Sequence, residues 1–89
     1  MKYRYEVIFC QSGRLNTEEI HTSKDNAILA AREWIEEVRD VMKRVGAKKI
    51  GNLKIDNQII FEHPAFGFEG GVYIHKQKYH SSYVGWVNV

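Results

Sequence analysis

The stretch from Ser23 to Val45 repeats its apolar residues with the period of an α-helix and contains neither proline nor glycine. At about 100° per residue, these side chains fall on one side of the helix. That side consists of Ala27, Ile28, Ala31, Trp34, Ile35, Val38, Val41, Met42 and Val45. It is wider than a coiled-coil seam, which is typical of a helix that lies on a β-sheet. Thr22 or Ser23 can cap the first turn, and Gly46 can end the helix in a left-handed conformation.

Short runs of alternating or β-branched residues on both sides of this helix predict β-strands. Two precede the helix, at 2–10 and 15–21, and four follow it, at 48–55, 58–62, 72–79 and 83–89. Gly51 fits a bulge and Asp56-Asn57 fits a turn. The order β-β-α-β-β-β-β predicts an α+β fold, in which a single long helix packs on one face of a mainly antiparallel sheet.

The 89 residues predict a single compact domain, 1–89. A hydrophobic content of 44% is that of a folded globular protein and not of a disordered chain. No apolar run approaches about eighteen residues, so we expect no membrane span. The first residues alternate charged and aromatic side chains and lack a leader pattern, which predicts a cytoplasmic protein.

Residues that carry catalytic or metal chemistry are few and scattered. Cys10 is the only cysteine, so it forms neither a disulfide framework nor a paired metal motif. The four histidines, His21, His63, His75 and His80, do not follow the spacing of a zinc site. No serine or cysteine stands in a pattern that indicates an activated nucleophile. We therefore expect no metal, no cofactor and no enzymatic activity.

The glycine-rich segment 64–71 is predicted to be a loop and carries two large aromatic residues, Phe66 and Phe68. Such side chains either fold back onto the core or contact a partner. The outer side of the helix offers a second surface, an acidic stripe of Glu33, Glu36, Glu37 and Asp40 beside basic positions. Exposed aromatics and complementary charge predict a non-catalytic protein-binding module.

In size and make-up the chain resembles phage and plasmid anti-defence proteins, including anti-CRISPR proteins. That resemblance implies an inhibitor or adaptor that binds a host protein. Pairing of an edge strand between two copies, which would give a homodimer, is the other protein contact that the strand pattern allows.

Binding to nucleic acid is the alternative function. The net charge is only +2, but 39–89 carries eight basic and four acidic residues against five and seven in 1–38. The basic 39–54 region and the Tyr- and Lys-rich strand 72–80 combine cations with aromatics, as single-strand-binding surfaces do. The candidate residues are Arg39, Lys43, Lys48, Lys49, Lys54, Lys76, Lys78 and Tyr79.

Overall fold

The computed structural model describes residues 2–55 and 58–89, which form one α-helix and six β-strands. Along the chain these are β1 (Tyr3–Gln11), β2 (Thr17–His21), α1 (Lys24–Arg44), β3 (Lys48–Ile50), β4 (Gln58–His63), β5 (Gly67–Ser81) and β6 (Gly85–Asn88). This order confirms the predicted α+β fold.

All six strands belong to one sheet in which every neighbouring pair is antiparallel. The strand order is β2-β1-β5-β4-β3, so β2 and β3 lie at its two outer edges. β5 is the long central strand, with β1 along one of its edges and β4 along the first half of the other. β6 pairs with the last residues of β5 on the same edge as β4, because β1 already occupies the opposite edge there.

The hydrophobic core lies between α1 and one face of the sheet. The strands contribute alternating residues to it, namely Val7, Phe9, Ile59, Phe61, Val72 and Ile74. The helix contributes Ala27, Ala31, Ile35, Val38 and Met42. Trp34 closes one side of the core, with its ring centroid 5.8 Å from Phe9 and 6.3 Å from Phe61. We call the side of the sheet that contacts α1 the covered face and the opposite side the open face.

Both ends of the helix follow the local signals in the sequence. Ser23 is the N-cap, and its Oγ accepts a hydrogen bond of 3.3 Å from the backbone N–H of Asn26. Gly46 follows the last turn with a φ of 83°, in the left-handed region. The predicted apolar side is too wide at Val41 and Val45, which are exposed. Val41 lies at the border of the apolar side, and Val45 lies beyond the last helical residue.

The predicted loop 64–71 is wrong, because β5 already begins at Gly67. Glycine at position 70 reflects close packing and not a flexible loop. A Cβ there would lie 2.8 Å from the Met42 Cε and 2.9 Å from the carbonyl oxygen of Cys10. The absence of a side chain at Gly70 therefore lets the helix approach the sheet closely.

Several other strand boundaries also differ from the predictions. β2 begins at Thr17, two residues later than predicted, and β3 ends at Ile50. Gly51 has a φ of 99° and stands at the end of β3, so it is not a bulge within a strand. Irregularities in the register lie instead in the β4–β5 ladder, between Phe61 and Glu62, and in the β5–β6 ladder, between Tyr79 and Ser81. The predicted turn at 56–57 lies outside the described residues.

Candidate functional site

The turn between β4 and β5 is short and held by its own histidine. His63 pairs with Gly67, which leaves three residues, 64–66, to connect the strands. The His63 Nδ1 accepts hydrogen bonds from the backbone N–H of Ala65, at 2.9 Å, and of Phe66, at 3.1 Å. Gly67 has a φ of 79°, as the closing residue of a three-residue hairpin loop often does. The turn therefore has a fixed conformation without any partner.

This ordered turn presents Phe66 to solvent. The side chain is 80% exposed, and its ring lies against the His63 imidazole with 4.6 Å between centroids. Phe68, two residues further on, is half exposed. The register places Phe68 beside Glu62, on the open face of the sheet. Neither of the two predicted phenylalanines folds back into the core.

Two other segments bring exposed apolar residues to the same end of the sheet. The β1–β2 turn carries Leu15, which is exposed, and is tied to β5 by a 2.8 Å hydrogen bond from the Ser12 N–H to the carbonyl oxygen of Glu69. The end of α1 adjoins the His63 ring, since a Cβ at Gly46 would be 3.4 Å from it. We call the exposed apolar residues at this end of the sheet, Leu15, Val45, Phe66 and Phe68, the apolar end.

The predicted acidic stripe of the helix is divided between its two flanks. Glu33 and Glu37 line a cleft of about 170 Å³ together with Glu19 of β2, which we call the acidic cleft. Glu36 forms an ion pair with Arg39 on the opposite flank. Asp40 accepts a hydrogen bond of 3.4 Å at its backbone oxygen from the Arg44 Nε. Of the four predicted residues, Glu33 and Glu37 therefore line the same cleft.

Three of the predicted basic residues come together on the flank of α1 that faces β3 and β4. Arg39, Lys43 and Lys49 line a groove of about 180 Å³, which continues into a second pocket of about 290 Å³. Its apolar floor includes Ile35, and the second pocket adds Arg32, which was not among the predicted residues. We call this surface the basic groove.

The remaining predicted basic residues do not join the groove. Lys48 pairs with Glu62, which places it on the open face. Lys54 follows β3 and is exposed. Successive side chains of a strand point to opposite faces of the sheet, so Lys76 and Lys78 of β5 lie on the side opposite to Tyr79. The tyrosine and the two lysines therefore do not form one surface for a single strand of nucleic acid.

On the open face, β5 and its neighbours carry a polar network around Gln77, which is only 7% exposed. The Gln77 Oε1 accepts a 2.7 Å hydrogen bond from the Arg4 Nε. The Gln77 Nε2 donates to Asn88 Oδ1, at 3.1 Å, and to Glu6 Oε1, at 3.5 Å. The Arg4 guanidinium lies over the Trp86 ring, 4.5 Å from its centroid. The network joins β1, β5 and β6, and no pattern within one strand signals it.

Two titratable groups of the open face are perturbed by their surroundings. Burial raises the pKa of Glu6, and a hydrogen bond with the Glu18 side chain raises it further, against the opposing charges of His75 and Arg4. Burial also raises the pKa of the Cys10 thiol. A thiol that stays protonated is a weak nucleophile, so Cys10 behaves as a small apolar residue.

The chain has no significant match among protein-family models, curated proteins or solved structures. Within residues 2–55 and 58–89, no three histidine, cysteine or acidic side chains come together as metal ligands. The one helix of the described chain is neither apolar enough nor free enough of charge to cross a membrane.

Proposed function

We propose that this chain is a small, cytoplasmic, non-catalytic protein-binding module whose apolar end contacts the partner. The single observation that supports this is the exposure of Phe66 on a turn that His63 already holds in place. A side chain that is ordered before binding loses little conformational entropy when a partner covers it. Clustered exposed apolar residues are also typical of interaction surfaces.

The apolar end has the composition of an interface centre. Phe66 and Phe68 supply aromatic area, and Leu15 and Val45 add exposed apolar side chains from two other segments. An aromatic anchor at the centre of an interface typically costs about 2 kcal/mol or more of binding free energy when it is cut to alanine. Loss of Phe66 alone should therefore weaken binding by roughly thirty-fold, because about 1.4 kcal/mol corresponds to a factor of ten.

The test compares Phe66→Ala with Tyr83→Ala. Tyr83 is 97% exposed and also lies on a hairpin turn, where the Ser81 Oγ accepts a 3.0 Å hydrogen bond from the Val84 N–H. That turn is at the opposite end of β5, so it is a matched control. Each tagged variant is incubated with nuclease-treated host lysate, and captured proteins are quantified by mass spectrometry.

We expect wild-type protein and Tyr83→Ala to capture the same protein and Phe66→Ala to lose it. All three should melt at nearly the same temperature, because both aromatic rings lie outside the core. Capture that survives in Phe66→Ala but is lost in Tyr83→Ala would move the binding surface to the other end of the sheet. Equal capture by all three would show that neither ring is an anchor.

The narrower proposal is an inhibitor or adaptor of the phage and plasmid anti-defence kind, similar to anti-CRISPR proteins. It rests on the size and composition of the chain. The same capture experiment, performed in a host lysate that contains a nucleic-acid-targeting defence complex, tests it directly. Recovery of a subunit of that complex by wild-type protein and its loss in Phe66→Ala is the expected outcome.

Nucleic-acid binding is the second candidate, and the basic groove is the observation that favours it. Arg39, Lys43 and Lys49 line this groove, and Arg32 lines the pocket that continues it. If a strand binds in the groove, Lys43→Ala should reduce the salt dependence of binding by roughly one phosphate contact, equally for all sequences. Lys54→Ala is the control outside the groove. Amide spectra that do not change with an oligonucleotide at low salt would exclude this function.

A further inference from the structure

The two outer edges of the sheet carry opposite charges. β2 ends the sheet on one side and contains Glu18, Glu19 and Ile20, whereas β3 ends it on the other side and contains Lys48, Lys49 and Ile50. All six residues are exposed, and the two isoleucines are 45% and 47% exposed. Within the part of the chain that the structure describes, β2 and β3 each pair with a neighbour on one side only. A free strand edge is a template for pairing with another chain.

The side chains of the two edges are arranged on the same faces. Glu18 pairs with Ile8 and Ile20 pairs with Glu6, so both lie on the open face. Lys48 and Ile50 lie on the open face as well, opposite Glu62 and Ile60. The second acidic residue, Glu19, pairs with the core residue Val7, and Lys49 pairs with the core residue Phe61. Glu19 and Lys49 therefore both project on the covered face.

The directions of the two edges match too. Four successive antiparallel pairs separate β2 from β3, so both strands run in the same direction through the sheet. A second copy placed beside the first, with its helix on the same side, would bring its β2 against β3 as a parallel pair. Glu18 can then lie beside Lys48, Glu19 beside Lys49 and Ile20 beside Ile50. A shift of two residues in either direction would place an isoleucine beside a charge.

We propose that this protein associates head to tail with itself, through parallel pairing of β2 of one copy with β3 of the next. Opposite charges side by side on neighbouring strands stabilise a pair, and two facing isoleucines add apolar contact. The same charges oppose the pairing of identical edges, since β2 against β2 places glutamate near glutamate and β3 against β3 places lysine near lysine. The interface is therefore selective for unlike edges.

The clefts beside the helix fit the same arrangement. The acidic cleft contains Glu19 together with Glu33 and Glu37, and the basic groove contains Lys49 together with Arg39 and Lys43. The register that sets Glu19 beside Lys49 also brings these two clefts together across the interface. Complementary charge on the helices thus supports the same register as complementary charge on the strands.

An interface between two different surfaces of the same chain leaves one free edge at each end of the assembly. Such a heterologous contact continues until the rotation between copies closes a ring, or indefinitely when it does not. Glu18 lies level with Gln58 in the sheet, whereas Lys48 lies level with Glu62, four positions further along β4. Successive copies are therefore offset along the strand direction, which favours an open, staggered array.

The first test uses two single-cysteine additions that react only across unlike edges. Ile20→Cys protein is mixed with Ile50→Cys protein and oxidised with diamide. Neighbouring strands are about 4.8 Å apart, which lies within the range of Cα separations that a disulfide spans. We expect a disulfide-linked pair in the mixture and little in either variant alone.

Two controls accompany this reaction. Leu29→Cys on the exposed side of the helix should not link to Ile50→Cys, and wild-type protein should not link at all, because Cys10 is buried. Links in the single variants as abundant as in the mixture would overturn the proposal, since they would indicate pairing of identical edges.

The second test reverses the charges and measures average mass by sedimentation at low ionic strength. Wild-type mass should rise with concentration, and the Glu18→Lys, Glu19→Lys variant should associate at least about ten-fold more weakly. The Lys48→Glu, Lys49→Glu variant should associate more weakly to a similar extent. A chain that carries all four changes has its charges exchanged between the edges, and it should associate again. Wild-type protein that stays monomeric at every concentration, or a four-fold variant that does not recover, would overturn the proposal.

Discussion

The covered and open faces of the sheet are built on the same strands but held by different forces. On the covered face of β5, Val72 and Ile74 are fully buried against α1. On the open face of the same strand, Gln77 joins its neighbours through hydrogen bonds with defined partners. Apolar packing is non-directional. It therefore tolerates a substitution that changes the shape of an apolar side chain better than one that introduces a buried charge. A hydrogen-bonded face depends on each partner, so the two faces should respond differently to mutation.

Ile35→Asp on the covered face should have the largest effect. Ile35 is buried in the middle of α1, so an aspartate there would lose the apolar contacts of the side chain and set a carboxylate against the core. We expect a loss of several kcal/mol of unfolding free energy, a large part of the stability of a domain of this size. Chemical denaturation followed by circular dichroism measures it.

Glu36→Lys is the control for that variant, because Glu36 follows Ile35 on the helix, is exposed and forms a surface ion pair with Arg39. An exposed ion pair contributes at most about 1 kcal/mol, so this variant should remain close to wild type. Similar denaturation midpoints for the two variants would mean that the described orientation of α1 is wrong.

Gln77→Leu on the open face should have an intermediate effect, of about 1–3 kcal/mol of unfolding free energy. The substitution keeps the apolar bulk but removes the acceptor for Arg4 and the donor for Asn88. Asn88→Ala, which removes one bond at an exposed position, should cost less. If Gln77→Leu were as stable as wild type, the open face would be held by apolar contact, and the two faces would not differ in the forces that stabilise them.

The smallest effect should be a pH dependence that originates at Glu6. Its pKa is raised in the folded protein by burial and by the Glu18 side chain. The protonated form is therefore favoured by folding, so this contribution to stability is complete below the unfolded pKa and is lost as the pH rises through the folded pKa. Unfolding free energies measured across that range should fall less steeply in Glu6→Gln than in wild type.

Glu62→Gln serves as the comparison, because Glu62 is an exposed carboxylate on the same face. It should leave the slope of stability against pH close to that of wild type. A slope that flattens equally in both variants would assign the pH dependence to the general charge of the open face and not to the site around Glu6.

Signals that are local in the sequence predicted the structure well. The apolar period from Ser23 to Val45 gave the helix and both of its ends, and strand alternation gave the six strands and their order along the chain. Phe66 was also selected as a candidate from the sequence, because a large aromatic beside Gly67 is a local feature. These predictions depend only on neighbours within a few residues, which the period of the backbone fixes.

Features that depend on distant residues were not accessible in this way. The acidic stripe is one surface on a helical wheel, but the flank that each carboxylate occupies depends on where β2 and β3 lie in the sheet. Glycine at position 70 was assigned to a loop, since its close approach to Met42 joins residues far apart in the chain. The network around Gln77 requires the register of β1 on β5, which no short pattern contains.

The ladder between β1 and β5 has a consequence for the order in which the chain folds. It joins Gln11 to Gly70 and Tyr3 to Lys78, whereas the β1–β2 hairpin and the β4–β5–β6 meander each form between near neighbours. Contacts between residues so far apart in sequence close large loops and slow the search for the native state. Two locally formed halves should therefore dock late along this one seam. Substitutions at the seam would then slow folding itself, while substitutions in either hairpin would mainly accelerate unfolding.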